Sequence, residues 1–188
     1  MLRNTRARWG APAQLLHWLI AVLIAVQIAL GLIGTALPLS MTKLVTLARH
    51  KSLGITILAL ALVRLAWRAL NPSPDLPHTL KPYERVLARG THTGLYVLMI
   101  ALPLTGWIMS SARGFPVSWF NLFQLPNLVG RSTTLYHAMV RVHVLLAIAL
   151  GLILVLHIAA AIKHHLVLKD DTLRRMLPGA GASLTRKE

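Results

Sequence analysis

Four stretches of apolar residues, each interrupted by only a few polar positions, dominate the chain: 13–36, 50–70, 92–111 and 143–166. Each reaches the ~20 residues that an α-helix needs to cross the hydrocarbon core of a bilayer. Polar and Pro/Gly-containing stretches separate them, so the pattern predicts four membrane helices. The first follows Arg3, Arg6 and Arg8 and could pass for a secretion signal, but its apolar run exceeds the usual ~7–15 residues. It also carries His17 and Gln27, and reads as a retained helix. Pro103 lies inside the third stretch and predicts a kink.

Composition agrees with the pattern. The 188 residues are 55% hydrophobic and 13% charged, with mean hydropathy +0.62, far from a soluble average. A net charge of +15 raises nucleic acid as a partner, but the basic residues fall between the apolar stretches and not on one soluble face. They read as topology signals, so the expected environment is a lipid bilayer. Fourteen Lys and Arg lie at the N-terminus, from the end of the second stretch to the start of the third (Arg64 and Arg68 included), and from Lys163 onward; six, from Lys43 to Lys51 and from Arg113 to Arg141, lie on the other side. That asymmetry puts both termini in the cytoplasm. Trp9, Trp18, Trp67, Trp107 and Trp119 fall near stretch ends, where interfacial anchors belong. The fold class expected is all-α: one integral membrane four-helix bundle over 1–188, up and down, with both termini cytoplasmic. The tail 179–188 reads as disordered. The connection 71–90 holds four prolines and reads as a non-helical start followed by a short amphipathic piece. The apolar, aromatic connection 112–142 reads as a cap or interfacial segment.

The candidate chemistry is histidine. With no cysteine, disulfides, iron–sulfur clusters, thiolate haem ligands and Cys-linked haem are excluded. Nine histidines remain. Alternating helix direction places His17 near the cytoplasmic end of the first helix and His50 near the outer end of the second. On the fourth helix, His143 lies outside and His157 inside. The last two are fourteen residues apart, ~21 Å along the axis and about 40° short of four full turns, so they share a face. Two imidazoles thus lie at each depth: His17 with His157, and His50 with His143. Matched imidazoles on different helices are what bis-histidine ligation of a b-type haem needs, and the chain supplies them twice. Gly31, Gly34, Gly54 and Gly151 leave room nearby. A lone intramembrane histidine more often bonds between helices or relays protons; four matched in depth and face favour haem. Zinc or copper would want three or four ligands together.

The remaining histidines carry weaker readings. His78 lies in the Pro-rich connection, and His137 falls on nearly the opposite face from His157. His92 at the start of the third helix, and Lys163, His164 and His165 beyond His157, are candidates for a quinone site near the inner pair. An imidazole can donate to a quinone carbonyl and relay the protons that reduction takes up. The alternative for this cluster is a snorkelling basic anchor.

These residues sit in stretches that resemble the bacterial cytochrome b561 family of four-helix, di-haem proteins, which includes superoxide oxidase. The matching pieces are LLHWLIAVLI around His17, RHKSLGITIL around His50, GTHTGLYVLMIALPLTGWIMS through the third helix, and the His143–His157 spacing followed by HIAAAIKHH and LKDDTLRRMLP. The resemblance runs from about Leu16 to Pro178. It implies two haem b groups held by His17, His50, His143 and His157, a bacterial inner membrane, and electron transfer between the outer face and the quinone pool. Superoxide as donor and ubiquinone as acceptor are what the superoxide oxidase branch implies. Lys43, Arg49, Lys51, Arg113, Arg131 and Arg141, with no acid on that side, would draw in a small anion, Arg49, Lys51 and Arg141 nearest the outer histidines. The alternatives are a cytochrome subunit relaying electrons between the quinone pool and a partner dehydrogenase, hydrogenase or periplasmic cytochrome, and a haem-free proton-coupled transporter.

Overall fold

The computed structural model describes residues 2–5, 8–74 and 80–178. Four helices carry it: α1 (Ala11–Ala36), α2 (Met41–Leu70), α3 (Pro82–Arg113) and α4 (Thr133–Leu166). All four are long and apolar enough to cross a membrane. His78 and the tail 179–188 lie outside the described residues.

All four helices begin earlier than the apolar runs predict, α1 by two residues, α2 by nine, and α3 and α4 by ten each; the last three need an explanation. Each extra stretch is polar enough to escape a hydropathy window yet has its own start signal. Ser40 accepts the Lys43 N–H through its hydroxyl at 3.3 Å, and Ser132 does the same for Leu135 at 3.2 Å. At α3, Pro82 occupies the first turn and the Glu84 carboxylate accepts the Lys81 N–H at 3.0 Å. The amphipathic piece expected to stand alone before the third helix is therefore its first turns. Helix α3 runs on through Pro103 and stops at Gly114, whose φ of +83° a side chain would strain.

α1 packs along α2 and α3 along α4, with α2 and α3 joining the two pairs. The core is small: Ile20 and Ile24 of α1, Leu53, Ile57 and Ala61 of α2, Leu98 and Met99 of α3, and Leu150 of α4. Leu150 is the one buried residue on α4. Most other Leu, Ile and Val side chains on that helix face outward. In water such a surface would drive association; in a bilayer it meets lipid.

The connection between α3 and α4 folds as a cap, as its composition suggests. Strands β1 (Ser118–Trp119) and β2 (Phe123–Gln124) form a short antiparallel hairpin, with Ser118 opposite Gln124 and Trp119 opposite Phe123. The hairpin is tied to α2. The Ser52 hydroxyl donates to the Ser118 carbonyl at 2.9 Å and accepts the Phe120 N–H at 3.0 Å. The Trp119 indole N–H reaches Thr56 Oγ1 at 3.0 Å. At the other end, the chain after α4 turns back over α1. The Gln14 amide donates to the Arg175 carbonyl at 3.0 Å, and the Trp18 indole to the Met176 carbonyl at 2.9 Å.

Candidate haem sites

The structure brings the four histidines together in the two pairs read from depth. His50 on α2 and His143 on α4 have ring centroids 6.3 Å apart with planes at 72°. His17 on α1 and His157 on α4 stand 6.2 Å apart at 76°. Face-to-face stacking would be closer, whereas edge-to-face pairs span ~4.5–7 Å. Two imidazoles sharing one metal, with metal–nitrogen bonds of ~2.0 Å and ~1.1 Å more to each ring centre, would have centroids ~6.2 Å apart. Both pairs match that spacing.

The outer rings are oriented by hydrogen bonds. His50 Nδ1 lies 3.1 Å from the Gln27 backbone carbonyl, which can only accept, so Nδ1 carries the proton and Nε2 is left bare. Beside His143, Thr105 Oγ1 donates to the Leu102 carbonyl at 2.8 Å. Its hydrogen is therefore committed, and it accepts from His143 Nδ1 at 3.0 Å. Both outer imidazoles thus present an unprotonated Nε2, the form that ligates a metal. The Gln27 side-chain amide lies 3.3 Å from His50 Nε2 and donates to the His50 carbonyl at 3.0 Å; its Oε1 is buried with no partner. Glycines face both rings. A Cβ at Gly31 would come within 3.1 Å of His50 Cε1, and one at Gly106 within 3.4 Å of His143 Cε1. At Gly151, midway between the α4 histidines, a Cβ would meet nothing within 4 Å. These features fit a flat macrocycle between the helices.

The inner pair is built from different parts. His92 on α3 lies against His157 with centroids 5.5 Å apart, too close to share one metal in the same way, so it flanks the pair. Arg64 of α2 exerts its charge on all three rings. Its guanidinium is held by the Tyr96 hydroxyl at 3.0 Å and the Ala13 carbonyl at 3.5 Å, and Arg68 stacks over the same tyrosine at 5.6 Å. Among the described residues, no group of three or more His, Asp or Glu is placed to hold a bare metal ion.

Of the quinone candidates, His92 alone is brought to the inner pair. Lys163 pairs with Glu84 at 3.1 Å. His164 donates to Asp170 at 2.5 Å, and His165 lines a separate surface recess with Lys169, Asp170 and Arg174. Burial alone would raise the Asp170 pKa; hydrogen bonds from Thr172 and the His164 ring outweigh it and hold the carboxyl below its ordinary range. His137 stands against Tyr136, away from both pairs.

Of the outer cations, Arg49 and Arg141 are exposed and Lys51 lies 5.9 Å over the Phe115 ring. Lys43 bonds the Leu37 carbonyl at 2.7 Å, Arg113 stacks on Tyr136 at 4.7 Å, and Arg131 lies over Gly114. None of the six pairs with an acid among the described residues. Sequence reading missed Arg64, Tyr96 and Thr105. The available signal for Arg64 is a charge six residues inside the end of an apolar run, which the topology pattern also accounts for.

Comparison with known proteins gives the family. A family model described as prokaryotic cytochrome b561 matches residues 8–179. The chain is 34% identical over 185 residues to cytochrome b561 homolog 2 of Escherichia coli (strain K12), covering 93% of each. It is 34% identical to a probable superoxide oxidase CybB of Yersinia pestis, covering 87% of this chain and 92% of that protein. Cytochrome b561 homolog 1 of Escherichia coli (strain K12) is 28% identical, over 87% of this chain and 93% of its own length.

Proposed function

The chain belongs to the prokaryotic cytochrome b561 family of haem b membrane electron-transfer proteins, and from that premise we propose that it holds two haem b groups and oxidises superoxide at the expense of ubiquinone. The observation that carries the reading is the pair of 6.2 and 6.3 Å imidazole separations at two levels of one bundle. His17 with His157, and His50 with His143, would hold the two groups through their imidazoles. Haem b supplies one-electron redox chemistry, which suits a donor that gives one electron and an acceptor that takes two. The balanced reaction takes two superoxide anions, one quinone and two protons to two dioxygen and one quinol.

The chain's own groups account for the rest. By the Lys/Arg asymmetry, both termini face the cytoplasm of a bacterial inner membrane and the hairpin faces the periplasm. Exposed Arg49 and Arg141, with Lys51, attract the superoxide anion next to His50 and His143, and such steering raises association rates by ~10–10³. Gln27 and Thr105 keep both outer rings bare at Nε2. On the cytoplasmic side, His92, which lies against His157, would bond a quinone carbonyl and pass on a proton. Lys163 and His164, already paired with carboxylates, anchor the helix end.

A probable superoxide oxidase among the relatives, 34% identical, supports this donor. The test is to mix the purified oxidised protein with a superoxide-generating system, then add ubiquinone. Haem reduction that dismutase abolishes, followed by reoxidation on adding quinone, is expected. Reduction that dismutase leaves untouched would remove superoxide as donor and favour a cytochrome subunit serving a partner redox protein.

A further inference from the structure

The end of the bundle that carries the chain termini holds a recess of about 360 Å³ lined by Arg3, Asn4, Trp67, Leu70, Asn71 and Pro72. Its volume lies in the range of small-ligand sites. Residues 2–4 lie against Gly10 at the start of α1 on one side of it. Thr5 donates to the Arg8 carbonyl at 2.9 Å, and the Arg8 N–H returns to Thr5 Oγ1 at 3.1 Å. Asn4 Oδ1 accepts the N–H of Gly10, the cap residue of α1, at 2.9 Å. The backbone of Leu2 and Arg3 lies so close over Gly10 that any Cβ there would collide with it.

This folding leaves two buried donors without partners. Asn4 is 6% exposed, and with its oxygen spent on Gly10, its Nδ2 has no acceptor. The Trp67 indole nitrogen is likewise buried and unpaired. The contrast with other tryptophans is informative: Trp18, Trp107 and Trp119 each give their N–H to an oxygen of this chain, at 2.9, 3.0 and 3.0 Å. A buried donor without an acceptor costs about as much as a lost hydrogen bond, so two at one recess point to an acceptor from outside the chain. Arg3 adds a cation, and no carboxylate lines the recess among the described residues. Two neutral donors and a guanidinium select an anionic group that only accepts hydrogen bonds.

We propose that this recess binds the phosphate of an anionic phospholipid, with Asn4 Nδ2, Trp67 Nε1 and the Arg3 guanidinium as its donors. The lipid source fits the surroundings. The recess opens at the end of a membrane-spanning helix, and Leu70 on its rim and neighbouring Leu2 are 82% and 76% exposed, apolar surface that acyl chains would cover. Basic recesses at the ends of membrane helices are a recurring seat for such headgroups.

The experiment is native mass spectrometry of the detergent-purified, delipidated holoprotein titrated with phosphatidylglycerol, with diacylglycerol as the phosphate-free control. One preferentially retained phosphatidylglycerol and no retained diacylglycerol are expected. Asn4→Asp preserves the acceptor for Gly10 but puts a negative charge in the recess, and should weaken binding at least about tenfold. Trp67→Phe, which deletes one donor, and Arg3→Gln, at an exposed position, should each weaken it by about three- to tenfold. Inorganic phosphate at millimolar concentration should not compete; if it competes fully, the same donors serve a free anion. Binding equal to wild type in Asn4→Asp and Trp67→Phe, with haem content unchanged, overturns the proposal.

Discussion

The two histidine pairs share one spacing, yet they are held in different ways. At His50 and His143, neutral groups do the positioning. A backbone carbonyl and a threonine hydroxyl fix which nitrogen carries the proton, and Gly31 and Gly106 clear the faces of the rings. At His17 and His157 the neighbours are a third imidazole and a guanidinium. The same pair of side chains can therefore be specified by steric and hydrogen-bond fit in one half of a bundle and by charge in the other. The outer arrangement fixes geometry. The inner one sets an electrostatic environment that favours added negative charge, as electron uptake requires.

The largest effect that would break the comparison is steric. Gly106→Leu fills the space beside His143, and should abolish the outer haem while leaving the inner one, seen as loss of one component of the α-band. Loss of both components would mean that the pairs are not independent. Thr105→Val, which removes the acceptor for His143 Nδ1, should weaken outer haem retention by about 10–100-fold, measured by haem transfer to an apoprotein acceptor. An effect on the inner haem instead would reverse the assignment.

A smaller effect separates charge from fit. Arg64→Gln should lower the potential of the inner haem by about 50–100 mV with the outer one unmoved, in a redox titration followed optically. Equal shifts of both would show that Arg64 acts through the whole bundle. The smallest concerns the strap after α4. Because the Asp170 carboxyl sits below its ordinary pKa, its contribution is present above that ordinary value of 3.8 and lost as pH falls through the lower, folded one. The strap should stay latched from neutrality down to about pH 4. Asp170→Asn should loosen it at neutral pH by about 1 kcal/mol, raising hydrogen exchange after Leu166 but not in α1–α3.

The pairing was legible in the sequence because membrane helices alternate in direction, so the position of each histidine along its helix gives its depth. Helix length was less legible. The first turns of α2, α3 and α4 carry Lys43, Glu84 and His137, and leave the hydropathy window although Ser40, Pro82 and Ser132 mark true starts. Neighbouring contacts were harder still. Nothing local tells that Thr105 spends its hydrogen on Leu102 and so becomes an acceptor for His143, 38 residues away. Arg64 shows the opposite failure: its charge was visible, but the positive-inside pattern explained it before its neighbours were known. Lys163 and His164 read as a proton-exchanging cluster because their acids, Glu84 and Asp170, come together with them only in the fold.

The central claim is that each pair holds its own haem. The direct measurement is the haem-to-protein ratio of the purified wild type and of His143→Ala and His157→Ala, by pyridine haemochrome and quantitative amino-acid analysis. The account predicts two haems per chain in the wild type and one in each variant, with different α-band components surviving. A wild-type ratio of one, or a variant that keeps both haems, would contradict it.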